Sequence, residues 1–205
     1  MTPPSDTPAR LRDAALSLFS GPLGPTASVR DIAQAAGVSP SLVIRHFGSK
    51  HGLREAVDAH VAATIESLLG SIEANPEVAV DTAHAGSLVA AMEAFLPAGS
   101  PIPAYLAWCV GDASDGAQRL LAQIMDASRR AFEALADAGL VDRGPDPDAR
   151  AAVVAALDLA VLTLHRPIAH VMGTTPVARP GAEAWATEVA HLIAHGYGRQ
   201  PEGQP

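Results

Sequence analysis

The 205-residue chain holds one cysteine, Cys109, one lysine, Lys50, and an aromatic share of only 4%. A lone cysteine excludes an intrachain disulfide, so packing has to supply the stability, and the expected setting is a reducing cytoplasm. No run of 18 apolar residues offers a membrane span, and residues 1–8 lack an apolar signal core, which together predict a soluble, unanchored protein. There is no Gly-x-Ser-x-Gly elbow, phosphate loop or dinucleotide fingerprint, and the carboxylates form no recognisable pair. The sequence therefore argues against an enzyme, and no cofactor is expected. What the chain has in place of aromatics is alanine: 42 of them, within a hydrophobic share of 48%. That mixture favours closely packed helices over strands rich in β-branched and aromatic side chains, and predicts an all-α fold.

A net charge of −8 argues against nucleic acid as a partner until the chain is divided. Residues 1–60 carry six Arg and Lys against five Asp and Glu, a balance of +1, while the rest carries eight against 17. An acidic body with a near-neutral head permits a local DNA-facing surface without demanding one.

In the head, Leu11, Ala14, Ala15, Leu18 and Phe19 follow the spacing of one buried helix face. Gly21, Pro22, Gly24 and Pro25 interrupt the chain, and Ser28 with Asp31 three residues on has the form of a capping box. That second helix ends at Gly37, and Ser39-Pro40 opens a third. Phe47-Gly48 closes it, and Ser49 can cap a long fourth helix with Leu53, Val57, Val61, Ile65, Leu68 and Ile72 on one face. Two short helices around a tight Gly37-Val38 turn have helix-turn-helix spacing. Ile32, Ala33, Ala36, Val38, Val43 and Phe47 can form its core. Ser39, Pro40, Ser41, Leu42, Ile44 and Arg45 remain for an outer face, near the end that enters a major groove. There Arg45 can bind a guanine edge or a phosphate, and Leu42 or Ile44 can pack on thymine methyls. Ser28, and Ser49 with Lys50, stand at helix N-termini suited to phosphate.

The stretch Ser28-Val-Arg-Asp-Ile-Ala to Ala36-Gly-Val-Ser, then Arg45-His-Phe-Gly-Ser-Lys50 and Leu53, resembles the TetR family of bacterial regulators. The resemblance covers about 45 residues and implies an N-terminal three-helix helix-turn-helix domain (8–52) and a helical ligand-binding and dimerisation domain (53–198), about nine helices in all. It also implies a homodimer that reads a palindromic operator in double-stranded DNA and represses transcription until a small-molecule ligand, of unknown identity, releases it. Carried over by position, Ser28, Ser39, Pro40, Ser41, Ile44, Arg45 and Lys50 are the expected DNA-facing residues; Arg30, Leu42 and His46 complete the set. Where the family usually has tyrosine this chain has Ile44, so the contact expected there is apolar. A regulator whose body binds a protein partner, or which activates, is the alternative.

In the body, residues 146–172 read as one helix with Val154, Leu157, Val161, Leu164, Ile168 and Val171 in alternating steps of three and four, kinked near its end by Pro167. With Trp185, Val189 and Leu192 on the final helix this seam serves a dimer interface or an intrachain contact. The large side chains Met92, Phe95, Tyr105, Trp108, Met125 and Phe132 either line a ligand pocket or form ordinary core, with Arg129 a candidate anion partner. His191 and His195 have the spacing of two metal ligands but no third, so no metal is expected.

Overall fold

The computed structural model describes residues 7–77 and 85–195, and every regular element among them is helical. Ten α-helices follow one another: α1 (Thr7–Phe19), α2 (Val29–Ala35), α3 (Pro40–Phe47), α4 (Lys50–Ala74), α5 (Ala85–Phe95), α6 (Ile102–Gly111), α7 (Asp115–Asp137), α8 (Pro147–Thr163), α9 (His165–Met172) and α10 (Gly181–His195). The polar, proline- and glycine-containing ends, 1–7 and 198–205, for which composition predicts no regular structure, fall outside the described residues, except that Thr7 already begins α1.

The chain divides into two compact units. The first comprises Met1–Glu66 and Gly99–Met125, the second Ser67–Ala98 and Asp126–Pro205. The 8–52 segment lies in the first, together with the start of α4 and with α6. Its core is Leu11, Ala15, Leu16 and Phe19 of α1, Ile32 and Ala33 of α2, Val43 of α3, and Leu53, Val57, Val61 and Ile65 of α4. Leu16 takes the buried place that periodicity assigned to Leu18, which is half-buried. In the second unit α5 packs on α10, and Val89 of the one and Ala182 and Ala190 of the other are buried. Arg179 bridges Glu93 at 3.2 Å beside that contact.

The single helix expected over residues 146–172 is two, bent by 82° at Leu164. Pro167 accounts for the break. It has no N–H to give the carbonyl four residues back, and its ring would strike that carbonyl, which belongs to Thr163, the last residue of α8. The seam is correspondingly divided. Val154, Leu157 and Val161 remain on α8, Leu164 is the bend itself, and Ile168 and Val171 lie on α9.

Candidate DNA-reading interface

Local chemistry fixes the two short helices of the head. Ser28 is extended, its hydroxyl accepts from the Asp31 amide at 3.2 Å, and the Asp31 carboxylate accepts from the Ser28 amide at 2.7 Å. The Ser28 hydroxyl also donates to that carboxylate at 2.7 Å, and with the Ser28 amide it holds the Asp31 carboxyl below the usual carboxylate range; a cap of this kind stabilises a helix by about 1 kcal/mol. At the other end of α2, the Val38 amide reaches the Ala33 carbonyl (2.9 Å) and the Gly37 amide reaches that of Gln34 (3.0 Å). This is a Schellman closure, with Gly37 at φ +66° supplying the left-handed step. Arg10 of α1 donates to the Ala36 carbonyl and so ties the turn to the first helix.

Proline at the first position opens α3. Ser39 precedes it as the N-cap by backbone geometry, but its hydroxyl meets that of Ser41 at 2.9 Å and caps no amide. Ser49 does cap: its hydroxyl accepts from the Gly52 amide at 3.0 Å, at the start of α4.

Residue by residue, the expected DNA-facing set lies outside the head's core. Ser28, Arg30, Ser39, Pro40, Ser41, Ile44, Arg45 and His46 are exposed, and Leu42 and Lys50 are half-buried. Ile44 is 50% exposed, a large apolar side chain that the fold leaves in solvent. Among the expected core positions Ile32, Ala33, Ala36 and Val43 are buried, and Val38 and Phe47 are half-buried. The residues expected to face DNA are thus all carried by one small, capped assembly.

The same unit contains a polar cluster for which the sequence offers no sign. Arg54 of α4 donates through Nε to the Tyr105 hydroxyl (3.0 Å) and through Nη2 to Asp112 (3.0 Å), and its guanidinium lies 4.1 Å from the centre of the Trp108 ring. The Tyr105 hydroxyl in turn donates to Asp58 at 2.5 Å. Burial, with the Asp58 hydrogen bond behind it, drives the Tyr105 phenol far above its ordinary value. Asp112 lies below the usual carboxylate range, the Ser114 and Arg54 hydrogen bonds overcoming its desolvation. Neighbouring Cys109 is buried, and burial pushes its thiol up to about 12, so it is not a reactive thiolate. Arg54→Ala would remove the guanidinium that Asp58 (3.7 Å) and Asp112 (3.0 Å) share, and with it a donor to the tyrosine hydroxyl. With the Arg54 side chain 18% exposed, the expected cost is about 2 kcal/mol, below that of breaking a fully buried pair. Urea unfolding reads it, and Arg54→Lys should recover only part, because an ammonium cannot reproduce the fork and the stack.

Of the residues expected to meet a ligand, Tyr105 and Trp108 are brought together, with ring centres 5.5 Å apart, and both are engaged by Arg54. Met125 belongs to the same unit; Met92, Phe95, Arg129 and Phe132 belong to the second. Phe132 is buried, while Arg129 spends its guanidinium on Asp126 (2.9 Å) and Glu133 (2.6 Å) of its own helix. Of the expected seam, Leu157 and Leu164 are exposed, and Val154, Val161, Ile168, Trp185, Val189 and Leu192 are half-buried. No cluster of three metal-ligating side chains occurs among the described residues, which include His191 but not the His195 side chain.

Comparison with known proteins agrees with this geometry. Residues 11–57 match the family described as bacterial regulatory proteins, tetR family. Over 147 residues the chain is 36% identical to the HTH-type transcriptional regulatory protein RaaS of Mycobacterium tuberculosis; the match takes in 72% of this chain and 65% of that protein's length. Two solved structures share the fold. SmeT, the repressor of the Stenotrophomonas maltophilia multidrug efflux pump SmeDEF, superposes with a TM-score of 0.61 at 21% identity over 98% of each chain. The TetR family transcriptional regulator PfmR of Thermus thermophilus gives 0.59 at 19% identity, over 93% of this chain and 96% of its own. With its capped helix-turn-helix, the segment 11–57 of this chain is that of the tetR family of bacterial regulatory proteins.

Proposed function

We propose that this chain is a cytoplasmic, sequence-specific DNA-binding regulator that represses transcription as a homodimer and leaves its operator when a small molecule binds the helical body. The observation that carries the reading is the solvent-facing side of α3, where Ser39, Ser41, Ile44 and Arg45 stand together on a helix braced by capped neighbours. That side presents hydroxyl, guanidinium and apolar groups to base edges, and the nearby helix N-termini offer amides to phosphates. The relatives are transcriptional regulators rather than enzymes, and SmeT is a repressor.

Dimerisation is supported by α8. Val153 and Leu157, with Leu164 at the bend, are 60%, 44% and 51% exposed on one side of the helix, an apolar stripe that favours a partner surface. On α10, Ala182 and Ala190 are buried, whereas the larger Trp185, Val189 and Leu192 keep part of their surface exposed, available to a second contact. Paired recognition helices about 34 to 36 Å apart would fit successive major grooves. A ligand releases them only by binding the non-reading conformer more tightly.

Gel shifts with the chain's own upstream region test this. A specific complex that weakens steeply with salt is expected, and the absence of any such complex would sink the proposal. In the same assay Ile44→Tyr adds a hydroxyl to an apolar contact and should change the ranking of a panel of operators. Identical rankings would show that Ile44 touches nothing that matters.

A further inference from the structure

Ser28, Ser39 and Ser49 each stand immediately before a helix of the head, and Ser39 behaves differently from the other two. Ser28 and Ser49 accept from the amides of Asp31 (3.2 Å) and Gly52 (3.0 Å), three residues on in each case. Ser39 has the backbone of an N-cap, φ −80° and ψ 147°, but its hydroxyl caps no amide. The local sequence accounts for this. Pro40 follows it and has no N–H, and the Leu42 amide, which a capping hydroxyl would take, already donates to the Ser39 carbonyl at 3.0 Å. The Ser39 Oγ instead meets the Ser41 Oγ at 2.9 Å, and both side chains are exposed. Neither hydroxyl has another protein partner among the described residues.

A pair of this kind has a fixed hydrogen-bonding pattern. Each serine hydroxyl brings one proton and two lone pairs, and the bond between them uses one proton and one lone pair. One oxygen keeps its O–H to donate, and its neighbour keeps only lone pairs. The two oxygens, 2.9 Å apart, therefore present a donor beside an acceptor, the pattern that an Asn or Gln amide presents. In the major groove the adenine edge is the complement, with N7 accepting and the N6 amine donating. Guanine offers two acceptors, N7 and O6, and the pair has one proton to meet them.

Ile44 is three positions from Ser41, hence on the same side of α3, and it is 50% exposed. The apolar group that the major groove offers such a side chain is the thymine methyl, again a mark of an A·T pair. We infer that Ser39 and Ser41 act as one reading element that takes adenine by its N6 and N7, with Ile44 against a thymine methyl, so that the first turn of α3 selects A·T. The inference rests on the reading above, in which this side of α3 enters DNA, and it gives that surface a base preference. Ser39 thereby has a role that its place before the helix does not reveal: it holds the Ser41 hydroxyl and completes the pattern, in place of capping.

The test measures binding of the full chain to duplexes of its own upstream region in which each base pair is changed in turn. The wild type should prefer adenine by about tenfold at one position in each half of the site. Putting 7-deazaadenine there, which lacks only the N7 acceptor, should weaken binding. Ser41→Ala and Ser39→Ala should each erase the preference at that same base pair and leave the slope of affinity against salt unchanged, since no phosphate contact is lost. Ser39→Thr keeps the hydroxyl and should keep the preference. Ser39→Ala should also leave the urea midpoint where it is, whereas Ser28→Ala, which removes a cap, should lower it. Guanine preferred at that position, a preference that survives loss of either hydroxyl, unaltered affinity for the 7-deazaadenine duplex, or a lowered midpoint for Ser39→Ala overturns the inference and leaves DNA reading by the head standing. Absence of any sequence-specific complex overturns both.

Discussion

Gly52→Ala is expected to destabilise the chain by about 2–3 kcal/mol, the upper range for forcing one extra methyl group into a packed contact. Gly52 lies in the first turn of α4, and a Cβ there would stand 2.2 Å from the Phe47 carbonyl oxygen and 3.3 Å from its carbon. The obstacle is backbone, at the last residue of α3, so no side-chain rotation relieves it. Alanine ordinarily improves a helix interior over glycine by about 1 kcal/mol, and the expected result therefore has the opposite sign from propensity. Equilibrium unfolding in urea measures it. Operator affinity should fall as well, because the strain is relieved most simply by displacing α3. Equal or greater stability for Gly52→Ala would show that the corner can open without loss.

The second large effect is a dependence on pH. Burial raises the Asp158 carboxyl from 3.8 to about 6, with the Ser128 hydroxyl acting against that rise. The native state then holds a proton that the unfolded chain releases, so between those two values stability declines as pH rises. Below both pKa values the penalty is absent; above the higher one it is complete, at about 3 kcal/mol for a shift of roughly two units. Asp158→Asn has no such titration. Measured by urea unfolding at pH 4.5 and 7.5, the stability of Asp158→Asn relative to wild type should increase by about 2 kcal/mol at the higher pH. Comparing the two proteins at each pH cancels the other carboxylates. Parallel curves would mean that Asp158 titrates like a solvated side chain.

These two residues also illustrate what sequence could and could not disclose. The head is legible because its signals are short-range: Ser28 and Asp31 are three apart, and Gly37 closes the helix it follows. Their geometry depends on neighbours within one turn, so local reading suffices. The Arg54 cluster was invisible for the converse reason, since it joins residues 47, 51 and 58 positions apart and follows no period. Pro167 announced a bend in the long helix, although the break falls earlier than a kink at the proline itself, because the ring acts on the carbonyl four residues upstream. The environment of Asp158 is not legible in the sequence because Val154, Leu157 and Val161 carry the large-residue period of α8, while the residues buried on that helix are mostly alanine. A single charge within the apolar run 151–164 was the available clue.

Lys50 opens α4 one turn from the end of α3 and is the chain's sole lysine. Every ε-amine chemistry available to this protein, whether acetylation, ubiquitination or a synthetic acyl label, therefore has a single address. It is the one at which neutralising a charge falls beside the reading head, and the acidic body contains no second amine side chain to dilute the effect.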